Sequence, residues 1–161
     1  MERPIVDLAS SADQHAATAT PAQPHVLLAA DDTPASLAAV ARFVERLAWY
    51  REPLAVDLVN VQAPVSRDVS AFVEEGSIKD LHHEEGMKAV QPVREVLERA
   101  GVPCVVHIGV GDFAHVIAHY AQQLNAREIF LTETARTDGV GLGEAVADVC
   151  EHAQVPVTIL R

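Results

Sequence analysis

Short, nearly unbroken apolar runs alternate along this chain with longer stretches in which apolar residues return every three or four positions. His25 to Ala30 (HVLLAA), Leu54 to Val61 (LAVDLVNV), Pro103 to Val110 (PCVVHIGV), Glu128 to Thr132 (EIFLT) and Val155 to Leu160 (VPVTIL) read as strands. The scarcity of polar alternation within them is the mark of strands covered on both faces of a parallel sheet. Thr33 and Pro34 supply an N-cap and an N1 proline, after which Leu37, Val40, Ala41, Val44, Leu47 and Ala48 line one helical face. From Ser66 to Ala100 the helical pattern is interrupted by Gly76, Gly86 and Pro92, which predicts a loose piece near 66 to 80 and firmer helix after about 83. Met87, Val90, Val93 and Leu97 carry its apolar face toward Gly101, placed to end it as C′. Asp112 is the predicted N-cap of a helix with Phe113, Ile117, Tyr120, Ala121 and Leu124 on one side, and Asn125 ends it in the left-handed conformation. A last helix, from about Glu144 to Ala153, points Val146, Val149 and Ala153 inward.

Strands separated by helices at this spacing are βαβ units, so the fold class is α/β: a Rossmann-like, doubly wound parallel sheet with helices on both faces. A length of 161 residues fits one core. Residues 25–161 form that domain, and residues 1–24, rich in Ala, Thr, Ser, Gln and Pro, read as a flexible N-terminal tail. Within the tail only Ile5 to Leu8 (IVDL) has the apolar character to dock on the body.

Charge narrows the partners. Twelve Lys and Arg against 23 Asp and Glu give a formal net charge of −11, which argues against nucleic acid and anionic membrane surfaces, both of which reward basic patches. No apolar run approaches the ~20 residues of a membrane span, and the N-terminal residues lack the basic start and apolar stretch of a signal peptide. Two cysteines, Cys104 and Cys150, are too few for a disulfide scaffold, so a reducing cytoplasm is the expected location.

Three stretches resemble the universal stress protein family: VLLAADDTPAS at 26–36, GVPCVVHIGVGDFAHVIAHYA at 101–121 and GEAVADVCEHAQVPVTILR at 143–161. The resemblance covers residues 25–161 and implies a five-stranded sheet of order 3-2-1-4-5, counted from the strand at His25, usually in a homodimer joined through the last strand. One branch of the family binds adenine nucleotides. In that strand order a ligand enters beyond the carboxyl ends of the first and fourth strands, where the order reverses. The candidate nucleotide crevice is then Asp31, Asp32, Thr33, Val61, Gly111, Thr132, Arg136, Gly143 and Glu144.

Triphosphate-binding members carry Gly, two residues, Gly, nine residues, then Gly with Ser or Thr. Glycines let main-chain N–H groups reach phosphate oxygens, and the hydroxyl adds a donor. Here Thr132, Glu133, Thr134, Ala135 and Arg136 stand where the first two glycines belong, and Glu144 follows Gly143 in place of the hydroxyl. Asp31, Asp32, Glu133, Asp138 and Glu144 border the expected crevice, opposed by Arg136. Each carboxylate ~6 Å from a phosphate costs roughly 0.7 to 3 kcal/mol, unless a divalent ion such as magnesium bridges the two. The expectation is a non-enzymatic, dimeric stress-response or regulatory module with weak or no ATP binding and no required cofactor. Its partners would be a second copy, through Val155 to Leu160, and a regulatory protein. The alternative is an ATP or AMP sensor, with magnesium, that tolerates the altered loop. No Ser or Cys stands in a nucleophile elbow, so there is no candidate catalytic residue.

The remaining chemistry-bearing residues have structural readings. Gly139, Gly141 and Gly143 form a crossover turn more naturally than a phosphate cradle, and His107-Ile108-Gly109-Val110 is half of a nucleotidylyltransferase signature on the wrong strand. His115 and His119 are four apart but face solvent with no third ligand in view; His82 and His83 lie on a polar helix surface; His152 caps a helix C-terminus. Cys104 and Cys150 both read as inert buried thiols.

Overall fold

The computed structural model describes residues 6–7, 23–65, 75–134 and 142–161. In chain order the elements are β1 (Val6–Asp7), β2 (His25–Ala29), α1 (Pro34–Leu47), β3 (Ala55–Gln62), α2 (Glu75–Arg99), β4 (Cys104–Val110), α3 (Phe113–Gln123), β5 (Ile129–Thr132), α4 (Leu142–His152) and β6 (Val157–Leu160). The sheet order is β1-β4-β3-β2-β5-β6. Its five strands from β2 onward run parallel in the expected 3-2-1-4-5 arrangement, with Leu27 paired to Asp57 on one side and Ile129 on the other.

Local capping fixes the helix starts. Thr33, extended at φ −66° and ψ 147°, takes the N–H of Ser36 on its hydroxyl ahead of Pro34, and Asp112 does the same for His115. Asn125 (φ 53°) and Gly101 (φ 69°) adopt the left-handed conformation after α3 and α2. These four sites match the sequence reading.

Side chains alternate across each strand, so every continuous apolar run feeds two cores. On one face Val26, Leu28, Val56, Leu58 and Phe130 pack against Val40 and Phe43 of α1 and Val90, Val93 and Leu97 of α2. Phe43 and Phe130 meet with ring centroids 4.7 Å apart. On the other face Leu27, Ala29, Val59, Ile129 and Leu131 pack against Val116, Ile117 and Tyr120 of α3 and Val149 of α4.

Two expectations change. The segment before Gly101 is one continuous helix from Glu75, with Gly76, Gly86 and Pro92 inside it. Gly86 is there for contact rather than flexibility: a Cβ would lie 2.7 Å from Ile108 Cγ2, so the missing side chain lets α2 settle on β4. Residues 66–74, where the loose piece was expected, lie outside the described residues. Second, β1 pairs antiparallel with the edge strand β4, Val6 opposite Val110 and Asp7 opposite Gly109. Part of the tail therefore extends the sheet; residues 1–5 and 8–22 lie outside the described residues.

Candidate functional site

Order reverses between β2 and β5, and at their carboxyl ends the chain assembles a two-tier network of hydroxyls around one carboxylate. The inner tier is buried. Ser36 Oγ, 1% exposed, donates to Thr132 Oγ1, 2% exposed, at 2.8 Å, and accepts the main-chain N–H of Asp31 at 3.0 Å. In the outer tier Asp31 Oδ1 accepts from the Thr33 N–H (3.1 Å), Thr33 Oγ1 (2.7 Å) and Thr134 Oγ1 (2.9 Å). The Thr33 and Thr134 hydroxyls lie 2.8 Å apart, so two protons are shared among three oxygens. Together the two tiers tie the end of β2, the first turn of α1 and the end of β5 across the mouth where a ligand would enter.

Of the residues expected at this mouth, the structure brings Asp31, Thr33 and Thr132 into one network and leaves Asp32 exposed beside it. Val61 is 4% exposed and its side chain belongs to the core under α3. Gly111 forms the rim: its φ is 152°, its N–H donates to Gln62 O at 3.1 Å, and a Cβ there would press Val116 at 3.2 Å. Gly143 and Glu144 are exposed in the first turn of α4. Arg136 and Asp138 lie outside the described residues. Glu133, counted among the crevice carboxylates, ion-pairs with Arg161 beyond β6 at 2.7 Å, which reduces the negative charge assigned to the mouth.

Ser36 and Thr134 were not singled out from sequence. Ser36 follows the N-cap Thr33 by three positions, and Thr134 follows Thr132 by two, so a search for hydroxyls at the ends of adjacent strands finds both. The hydroxyls bond one another, a carboxylate and main chain rather than an imidazole. Among the described residues none of these hydroxyls is hydrogen-bonded to an imidazole, the adjacent base that activates a nucleophile.

A second carboxylate is built at the opposite end of the sheet. Asp57, 2% exposed, lies between His25 Nδ1 (2.8 Å to Oδ2) and His107 Nε2 (3.0 Å to Oδ1), and the His107 ring rests against Tyr120 with centroids 5.3 Å apart. Two other positions depart from expectation. His82 is 8% exposed, turned inward from α2, and burial holds its pKa below the ordinary histidine value. Cys150 is exposed on α4, whereas Cys104 is sheltered enough that burial, the main cause, pushes its thiol up to about 12.

Residues 24–161 match the model of the universal stress protein family. No curated protein sequence matches the chain. Among solved structures, a universal stress protein from Archaeoglobus fulgidus in complex with dAMP is similar at 15% identity and TM-score 0.58, over 86% of this chain and 98% of that one. A universal stress protein from Lactobacillus plantarum aligns at 22% identity and TM-score 0.57, covering 87% and 99% respectively. A family member from Arabidopsis thaliana with AMP bound aligns at 16% identity and TM-score 0.57, covering 85% and 91%. At such identities the structures speak for the fold, and the match over residues 24–161 carries the assignment: this chain belongs to the universal stress protein family.

Proposed function

We propose that this universal stress protein is a non-enzymatic regulatory module whose sheet mouth is closed by its own hydrogen bonds, so that ATP binds weakly or not at all. The observation that carries this reading is the Asp31-centred network: three internal donors converge on one carboxylate oxygen, and Ser36 and Thr132 satisfy each other beneath it. A ligand entering between β2 and β5 has to replace those bonds with ones of equal quality. Its phosphates would also meet Asp31 and Asp32 without the glycine-rich backbone that triphosphate-binding relatives use. Calorimetric titration with ATP and AMP, each with and without magnesium, tests it; the expected result is no saturable ATP binding. The module works in the cytoplasm, where Cys104 and Cys150 stay reduced.

A second reading, an adenine-nucleotide sensor, is favoured by relatives whose structures carry AMP, dAMP or cAMP. All three are monophosphates, which lessens the need for a triphosphate cradle. AMP binding without ATP binding would select this reading.

We also propose a homodimer through β6. Among the described residues β6 pairs only with β5, leaving its other edge open, and an uncharged apolar edge favours a partner strand. The Pro156 carbonyl accepts from Ile129, so by the parallel ladder the alternate residues Val157 and Ile159 turn their main-chain groups to the open edge. Val157→Pro removes an outward donor without touching the pairing to β5. It should convert the dimer to monomer in sedimentation or light scattering, and an unchanged dimer places the interface elsewhere. Thr158 is the poorer probe, because its hydroxyl already donates to Glu128 at 2.6 Å.

A further inference from the structure

Away from the mouth, the start of α3 and the end of α4 bring two imidazoles into contact. His115 and His152 have ring centroids 4.2 Å apart, tilted by 52°. Each Nδ1 is engaged: that of His115 lies 2.7 Å from Asp112 Oδ1, and that of His152 lies 2.7 Å from the Asp148 main-chain oxygen. A carbonyl and an ionised carboxylate can only accept, so in both neutral rings Nδ1 carries the proton and Nε2 keeps its lone pair. An imidazole fixed by a carboxylate or carbonyl on one nitrogen, with the other left as a donor, is the outer arrangement of a metal-binding histidine. Here two such rings come together from different helices.

From this geometry we propose that His115 and His152 chelate one divalent transition-metal ion of the zinc, nickel or copper class through their Nε2 atoms. Both rings line a surface groove of about 450 Å³ that also holds His119, one turn along α3 from His115, together with Gln122, Asn125 and Gln154. The groove has room for the ion and for waters to fill its remaining coordination positions. Imidazole nitrogen selects these ions over magnesium and calcium, which prefer all-oxygen sites. The C-terminal end of α4, where His152 sits, favours a cation, and the Asp112 carboxylate offsets the opposing N-terminal end of α3. Among the described residues no set of three or more His, Cys, Asp or Glu side chains stands arranged for a metal, so the site is a two-histidine chelate. The ion would cross-link α3 to α4 independently of the mouth between β2 and β5.

The test is calorimetric titration of the untagged full chain with Ni²⁺ and Zn²⁺, with Mg²⁺ as control, alongside thermal melts. One Ni²⁺ or Zn²⁺ per chain, no response to Mg²⁺, and a metal-dependent rise in Tm are expected. His115→Gln and His152→Gln should each abolish binding while leaving the metal-free melt within a few degrees of the parent. Asp112→Asn keeps the helix cap but weakens the acceptor behind His115, and should lower affinity about 10- to 100-fold. His83→Gln on α2 should change nothing. Absence of saturable Ni²⁺ and Zn²⁺ binding, or binding that survives the double substitution of His115 and His152, overturns the proposal.

Discussion

The two ends of the sheet each hold one carboxylate in a nest of donors, yet they are built for opposite ends. Asp57 is sealed in, each of its oxygens facing one imidazole, His25 on one side and His107 on the other. Asp31 is half-buried, and its donors are threonine hydroxyls and an N–H at a helix start. Imidazoles held by neighbouring strands have nowhere to go, whereas a hydroxyl can rotate to another acceptor at little cost. The lower cluster is therefore a fixed part of the core, and the upper one can open when something better arrives. The difference sets a sealed carboxylate held by two imidazoles at the base against a half-buried, hydroxyl-bonded one at the mouth.

Removing each carboxylate breaks the comparison most directly. Asp57→Ala strands two buried or half-buried imidazoles and should cost about 3 kcal/mol in denaturant unfolding. Asp31→Ala, at a wetter site, should cost about 1 kcal/mol. Equal losses would mean that the mouth is as rigidly built as the base.

How much of this was legible in the sequence follows the distance over which each feature is encoded. The caps at Thr33 and Asp112 and the left-handed stops at Gly101 and Asn125 depend on a few adjacent residues, and the sequence states them. The cluster at Asp57 joins residues 32 and 50 positions away, so no local pattern marks it. The same holds for Gly86, whose use depends on Ile108 across the helix-sheet interface. Helix phase misplaced two residues: Cys150, one step beyond the buried Val149, turns outward, and His82 turns inward beside the exposed Leu81. At the ends of β2 and β5 the structure brings Asp31, Thr33 and Thr132 into one network, but their hydroxyl partners Ser36 and Thr134 emerge only when the two strands lie side by side.

His82 is a buried ionisable ring with no carboxylate bonded to it among the described residues, unlike the imidazoles beside Asp57. Its folded pKa lies below the unfolded value, so the unfolded chain takes up a proton first as pH falls below about 6.5. Stability should therefore decline from pH 6.5 downward and level off below the folded pKa. His82→Gln should flatten that part of the curve in urea melts run across this range; a parent curve no steeper than the variant's would contradict it.

The smallest effect separates the two thiols. With its thiol pushed up to about 12, Cys104 stays protonated and unreactive at pH 8, while the exposed Cys150 is open to reagent. Alkylation of the native protein followed by peptide mapping should label Cys150 alone, and rapid labelling of Cys104 would show that the strand beside β3 is less sealed than described.

The central claim is that the mouth between β2 and β5 is closed on itself. Titration of ATP with magnesium into the parent and into Thr134→Val, which removes one donor to Asp31 and leaves the buried Ser36 and Thr132 pair intact, tests it most directly. The parent should give no saturable heat, and nucleotide binding should be gained only in the variant. Tight ATP binding by the parent, lost in Thr134→Val, would contradict it.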